Sequence, residues 1–190
     1  MQHLYPDRMP GGPTSPGYPE EIAATGPELA APLRSELAAR ITGGSVNPLG
    51  PGLTASGAVS LDDAEGGTAL RLALTGESWA GVYVFLGGYD AAGADTVAMR
   101  MKLPSDVAAL ELKLEGPENN ARSVNLLEYA VGGPDEAGWS EFSVPLAAFE
   151  GVDLSRLAIL GLWNPSDRTG EFVTGEMIVD DTRFETGDRR

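Results

Sequence analysis

The sequence predicts an all-β chain folded as an antiparallel β-sandwich of the jelly-roll kind. Three observations predict it: apolar residues recur at every second position in short runs, turn signals separate the runs, and no helical pattern is interleaved between them. In residues 69–74 (ALRLAL), Leu70, Leu72 and Leu74 alternate with small or basic side chains. Val97, Met99, Met101 and Leu103 repeat the pattern in TVAMRMKL, as do Leu110, Leu112 and Leu114 in ALELKLE. Phe142, Val144 and Leu146 do so in EFSVPL, and further strands are predicted at 81–86, 123–129, 157–163 and 176–181. Gly87-Gly88, Pro104-Ser105, Gly116-Pro117, Gly132-Gly133-Pro134 and Asn164-Pro165 punctuate them. A parallel sheet would need a crossover of a dozen or more residues after each strand, and the spacing leaves no room for one. Roughly eight or nine short strands therefore pair as two antiparallel layers.

Composition narrows the function. The 190 residues include 25 Gly and 14 Pro, which favours turns over long helices. There is no cysteine, so disulfides, thiolate metal sites and cysteine nucleophiles are excluded. The formal net charge is −15, from 28 acidic and 13 basic residues, and such a chain repels phosphate. Nucleic acid and anionic membrane surfaces are therefore not expected as partners. Carboxylates at this density can hold calcium through their oxygens. No apolar run approaches the roughly 20 residues that span a bilayer. The N-terminus lacks the basic and apolar regions of a signal peptide, so the expectation is a piece of a longer secreted bacterial protein.

The chain divides near residue 51. Residues 1–51 hold nine of the fourteen prolines and read as a tether; residues 52–187 are expected to form the sandwich. Within the tether, residues 27–41 (PELAAPLRSELAARI) place Leu29, Leu33, Leu37 and Ile41 four apart, the spacing of a short amphipathic helix stopped by Gly43-Gly44.

Little in the chain suggests catalysis. His3 is the one histidine and lies in the tether, which argues against a Ser-His-Asp triad or a His-rich zinc site. Glu111 and Glu115 lie four apart on one strand face with Lys113 between them. That arrangement suits a polar binding face as well as an acid–base pair. With the leucines inward, Glu111, Lys113 and Glu115 point outward, as do Arg100 and Lys102 on the preceding strand and Asn125 with Tyr129 on the next. Charged, amide and phenol groups beside aromatic rings suit a sugar, whose apolar faces stack while its hydroxyls are hydrogen-bonded. Trp79, Tyr83 and Trp163 are the candidate stacking rings, and Trp139 reads as a core-edge residue.

Residues 138–185 carry a resemblance. Trp139, Val144-Pro145-Leu146, Phe149, Asp153-Leu154-Ser155, the apolar strand 158–162 and the closing Val179-Asp180-Asp181 with Arg183-Phe184 resemble the C-terminal half of galactose-binding-like carbohydrate-binding modules. Such modules accompany bacterial β-glucanases and related polysaccharide-degrading enzymes. The resemblance implies their β-sandwich over about residues 56–185, and a structural calcium in which Asp180 takes part. Asp62 and Asp63, in the turn SLDDAEGG, would supply early-strand oxygens. It further implies non-catalytic binding of polysaccharide and a catalytic domain in the same parent chain. The strand order of such modules would bring the residues that alternation turns outward onto one concave sheet, so that Trp79, Tyr83, Arg100, Lys113, Glu115, Tyr129 and Trp163 are the expected ligand contacts. The same sandwich also serves protein-binding assembly factors, and a small glycan hydrolase or lyase using the Glu111 face stays open.

Overall fold

The computed structural model describes residues 46–186. Ten strands form two five-stranded antiparallel sheets, and no α-helix occurs among the described residues. The strands are β1 (Asn47–Leu49), β2 (Leu53–Ser60), β3 (Thr68–Thr75), β4 (Gly81–Tyr89), β5 (Thr96–Lys102), β6 (Ala109–Glu115), β7 (Ala121–Asn125), β8 (Ser140–Pro145), β9 (Leu157–Ser166) and β10 (Thr174–Glu185). Sheet A has the order β1-β4-β9-β6-β7, and sheet B the order β2-β3-β10-β5-β8. The β-sandwich predicted from alternation is the architecture observed.

Alternation decides which residues fill the space between the sheets. Leu110, Leu112 and Leu114 of β6 are fully buried, beside Leu160 and Leu162 of β9 and Val82, Val84 and Leu86 of β4. Sheet B answers with Leu70 and Leu72 of β3, Met99 and Met101 of β5, and Phe142 and Val144 of β8. Each such side chain contributes about 1.5–3 kcal/mol when fully removed from water. The register Leu112↔Leu162 and Leu114↔Leu160 locks β6 to β9, because a slip of one residue would turn these leucines outward.

The structure departs from the sequence reading in three places. The first strand lies ahead of the expected boundary at residue 52: β1 pairs with β4 through Asn47↔Tyr83 and Leu49↔Gly81. Residues 1–45, with His3 and the apolar stripe of 27–41, lie outside the described residues. The strand expected over 123–129 ends at Asn125, whose side-chain oxygen accepts the Leu127 N–H and starts a 3-10 turn, Leu126–Tyr129. Tyr129 thus leaves the strand and packs partly buried against the main core, away from any sheet face shared with Asn125. Finally, β9 carries a bulge where β6 pairs Ala109↔Ser166 and then Glu111↔Trp163. Asn164 takes φ 49° there, a left-handed conformation that Asn tolerates better than most residues.

Leu112→Ala removes a fully buried side chain from the middle of this core. It is expected to lower stability by about 2–5 kcal/mol, read as a shifted denaturant midpoint at unchanged slope. A cost under about 0.5 kcal/mol would mean that β6 does not lie between the sheets.

Candidate functional site: the outer face of sheet A

The residues between those leucines must point the other way. On the outer face of sheet A, β4 presents Gly81, Tyr83 and Phe85, β9 presents Ile159, Gly161 and Trp163, and β6 presents Glu111, Lys113 and Glu115. Register sets them in rows: Asn47, Tyr83, Gly161, Lys113 and Ser123 form one, and Leu49, Gly81, Trp163, Glu111 and Asn125 form the next. The two glycines have a steric reason. A Cβ on Gly81 would stand 1.9 Å from Cε3 of Trp163, and one on Gly161 would stand 2.7 Å from its Nε1. The indole therefore lies down over bare backbone. Tyr83 stacks beside it, with ring centroids 6.2 Å apart and planes inclined by 23°, and Phe85 meets Tyr83 edge-on at 5.3 Å. Trp79, partly buried, joins this cluster with Leu49.

The polar half of the face is short of water. Lys113 Nζ lies 3.0 Å from Glu115 Oε2. This ion pair is the partner of that buried oxygen. Nε1 of Trp163 and the side-chain oxygen of Asn164 on the adjacent bulge have no hydrogen-bond partner among the described residues. Burial pushes the Glu111 carboxyl up to about 8, with Ser123 and Lys113 pulling it only partly back. Burial raises Glu115 as well, against the opposing pull of Lys113. Near pH 7 the face thus presents a neutral carboxylic acid at Glu111, which both donates and accepts, beside the Lys113–Glu115 salt bridge.

Arg100 belongs to a different site. It lies on the outer face of sheet B, where β5 pairs Arg100 with Asp180 on one side and Glu141 on the other. There two cations lie over the ring of Trp139, Arg100 at 4.8 Å and Lys102 at 4.9 Å from its centroid. Asp63 Oδ2 accepts from Lys102 Nζ at 2.6 Å and from Trp139 Nε1 at 3.1 Å. The Lys102 bond is the main reason the Asp63 carboxyl is held below its usual range. Asp180 uses both oxygens, accepting the Glu65 and Asp181 N–H groups at 2.8 Å each. Arg100 lies 3.9 Å from the first of these oxygens.

These surroundings do not fit the calcium that the resemblance implied. Calcium takes about 6–8 oxygen ligands, whereas the oxygens here face N–H donors and two fixed cations. Asp62 is exposed and forms no part of the cluster. Among the described residues, no group of three or more His, Asp or Glu is placed to hold a metal ion.

Of the expected contacts, the structure thus brings together Trp79, Tyr83, Lys113, Glu115 and Trp163. It separates Arg100, which is on the other sheet, and Tyr129, which faces the core. Glu111 completes the face; its environment depends on the register of three strands, which local alternation does not reveal.

No protein-family model matches the sequence, and no curated protein matches it. Solved structures match it in fold. The family 11 carbohydrate-binding module of a cellulosomal cellulase of Clostridium thermocellum superposes with a TM-score of 0.51 at 14% identity, covering 75% of this chain and 88% of that one. A family 28 carbohydrate-binding module, described as specific for non-crystalline cellulose, gives 0.53 at 14% identity over 85% of this chain and 98% of its own. A β-1,2-glucanase of Parabacteroides distasonis gives 0.56 at 14% identity; the match covers 75% of this chain but 23% of the glucanase. The chain has the β-sandwich fold of carbohydrate-binding modules, as the residues of 138–185 suggested.

Three outcomes check the site. Gly81→Ala forces the Trp163 ring to move and is expected to cost about 1–3 kcal/mol, with a changed near-UV circular dichroism signal. Glu111 has a folded pKa near 8 against an ordinary value of 4.5, so the folded state holds its proton more tightly than the unfolded chain. Its contribution is therefore neutral below about 4.5 and increasingly unfavourable as pH rises through 8. The melting temperature should fall over that window, and Glu111→Gln should flatten the fall; an equally steep curve in the variant would contradict the assignment. Around Asp180, EDTA should leave the melting temperature unchanged within a degree. Asp180→Ala, which orphans two amides, should lower stability by about 1–3 kcal/mol. A large EDTA effect that Asp180→Ala abolishes would restore the metal.

Proposed function

We propose that this chain is a non-catalytic module that binds polysaccharide, a β-glucan or another neutral glycan, on the outer face of sheet A. One observation carries the reading. A stacked Trp–Tyr pair lies in register with Glu111 and Lys113, and Trp163 Nε1 and the Asn164 side-chain oxygen beside them have no hydrogen-bond partner among the described residues. Pyranose rings offer apolar faces for stacking and rows of hydroxyls that both donate and accept. A neutral acid and a compensated ion pair suit uncharged hydroxyls better than a phosphate or a uronate.

The same geometry argues against hydrolysis. Four residues of strand set the Cα atoms of Glu111 and Glu115 about 13 Å apart, with Lys113 between them. Glycosidases place their two carboxyls about 5–9.5 Å apart. They also need pKa values driven in opposite directions, one raised and one kept low. Here burial raises both.

The setting we infer is extracellular, with the module attached to a glycan-degrading catalytic domain and raising its effective concentration on polymeric substrate. The glucanase match is consistent with such an arrangement, since this fold fills only part of that longer chain. No helix among the described residues is long and apolar enough to cross a membrane.

Affinity electrophoresis against soluble glucans, xylans, galactans and alginate identifies the ligand. Trp79→Ala and Lys113→Ala, each confirmed folded, are expected to weaken binding roughly ten- to hundredfold, which corresponds to about 1–3 kcal/mol per contact. Binding that neither change weakens would place the site elsewhere. Release of reducing ends or unsaturated products, abolished by Glu111→Gln, would make the chain an enzyme.

A further inference from the structure

The described residues give the two sheets four edge strands, and three of these are closed to further pairing. β1 is three residues long and carries Pro48, which has no N–H to donate. β7 exposes Arg122. β8 exposes Glu141 and Pro145, and its edge is already engaged by the Ala130↔Phe142 bridge and by the Val131 N–H, which donates to the Glu141 carbonyl. Charge, proline, short length and a covering segment are devices that keep sheet edges from pairing with other chains. β2 has none of these. Its eight residues, LTASGAVS, hold no charge and no proline, and among the described residues β3 is its one strand neighbour. Thr54, Ala55, Ser56, Ala58 and Ser60 are exposed along it. The one register shift falls at the start of the strand, between Leu53 and Ala55, and residues 55–60 run unbroken against β3.

We infer that β2 pairs antiparallel with β2 of a second copy of this chain, joining two sheets B into one ten-stranded sheet and presenting two glycan faces together. The joint presentation rests on the reading of sheet A as the glycan site; the pairing does not. The edge itself selects the occupant. Side chains of Ala, Ser and Gly form no pockets that would select a peptide of another sequence, and such pockets are what give strand addition its specificity. Two identical edges of small residues meet without steric conflict in an isologous contact. Charge agrees. Each chain carries a net −15, so copies repel over most of their surface, and an uncharged edge is where they approach with least repulsion.

Symmetry fixes the rest. Antiparallel pairing of a strand with its own copy sets the two-fold axis perpendicular to the joined sheet, and rotation about that axis keeps each face on its own side. Both sheets A then pack on the same side of the ten-stranded sheet, with their outer faces turned the same way. A polymer bound to one face is held near the other, so its second contact is intramolecular and the two sites act as one. Pairing along a single strand buries less than the roughly 1,600 Å² of a standard interface, so the dimer is weak and reversible. Salt screens the mutual repulsion and strengthens it.

Two measurements on the full chain test this. Sedimentation from about 10 µM to about 1 mM should show a reversible monomer–dimer equilibrium, with more dimer at about 0.5 M salt than at about 0.05 M. Ser56→Lys with Ala58→Lys changes two exposed positions, so the melting temperature should stay within a few degrees of wild type. Pairing centred on Gly57 sets lysine opposite lysine, so the double variant should be monomeric even though the lysines reduce each chain's net negative charge. A wild-type chain that stays monomeric throughout, or a dimer that the lysines leave intact, would overturn the pairing. The second measurement is affinity electrophoresis. Polymeric β-glucan should retard the wild-type chain at a concentration lower by about tenfold or more than it does the double variant, while a short glucan oligosaccharide binds both equally. Equal retardation by the polymer would overturn the joint presentation. A dimer that binds no glycan would instead overturn the glycan reading while the pairing stands.

Discussion

Everything distinctive about this molecule depends on the parity of β6 and β9. A strand has two sides and no third choice, so burying Leu110, Leu112 and Leu114 obliges Glu111, Lys113 and Glu115 to share the opposite face. The same rule on β9 buries Leu160 and Leu162 inward and turns Ile159, Gly161 and Trp163 outward. Pairing of Leu112 with Leu162 then puts the acidic–basic row directly beside the indole. The core leucines are thus what positions the candidate site. Their hydrophobic burial, about 1.5–3 kcal/mol each, holds side chains on the far surface that contribute little to stability themselves.

Glycine is the second device. A tryptophan on a sheet face ordinarily stands up from it, and a Cβ at either Gly81 or Gly161 would force this one to do so. Bare backbone under the ring lets it lie flat and stack with Tyr83. Sequence alternation shows two glycines in two strands; only the pairing of β4 with β9 shows that both serve one indole.

That contrast describes how far the residues alone can be read. Strands whose inward side chains are leucine, valine or methionine were legible, because period two and burial coincide there. β2 was harder: its sequence, LTASGAVS, is small and mostly exposed, and its place is fixed by pairing with β3 rather than by its own pattern. The stop at Asn125 is an amide capping its own chain, a local alternative to continuing the strand. Arg100 shows the main limit. Alternation says that Arg100 and Lys113 both point outward, but not that β5 and β6, consecutive in the chain, lie in different sheets. Non-local strand order therefore divided an expected single polar face in two. On sheet B it became an ion network around Trp139, in which Arg100 and Lys102 stand where the resemblance implied a metal.

The proposed glycan binding rests on what sheet A carries: a lying indole, a stacked phenol, a carboxylic acid kept neutral by burial, and polar atoms without a hydrogen-bond partner among the described residues. The most direct measurement is amide chemical-shift mapping during titration with soluble β-glucan oligosaccharides and, in parallel, other neutral glycans. The account predicts that the shifts concentrate at Tyr83, Lys113, Gly161 and Trp163, with Arg100, Lys102 and Trp139 unmoved. Shifts confined to sheet B, or none with any glycan in the panel, would contradict it.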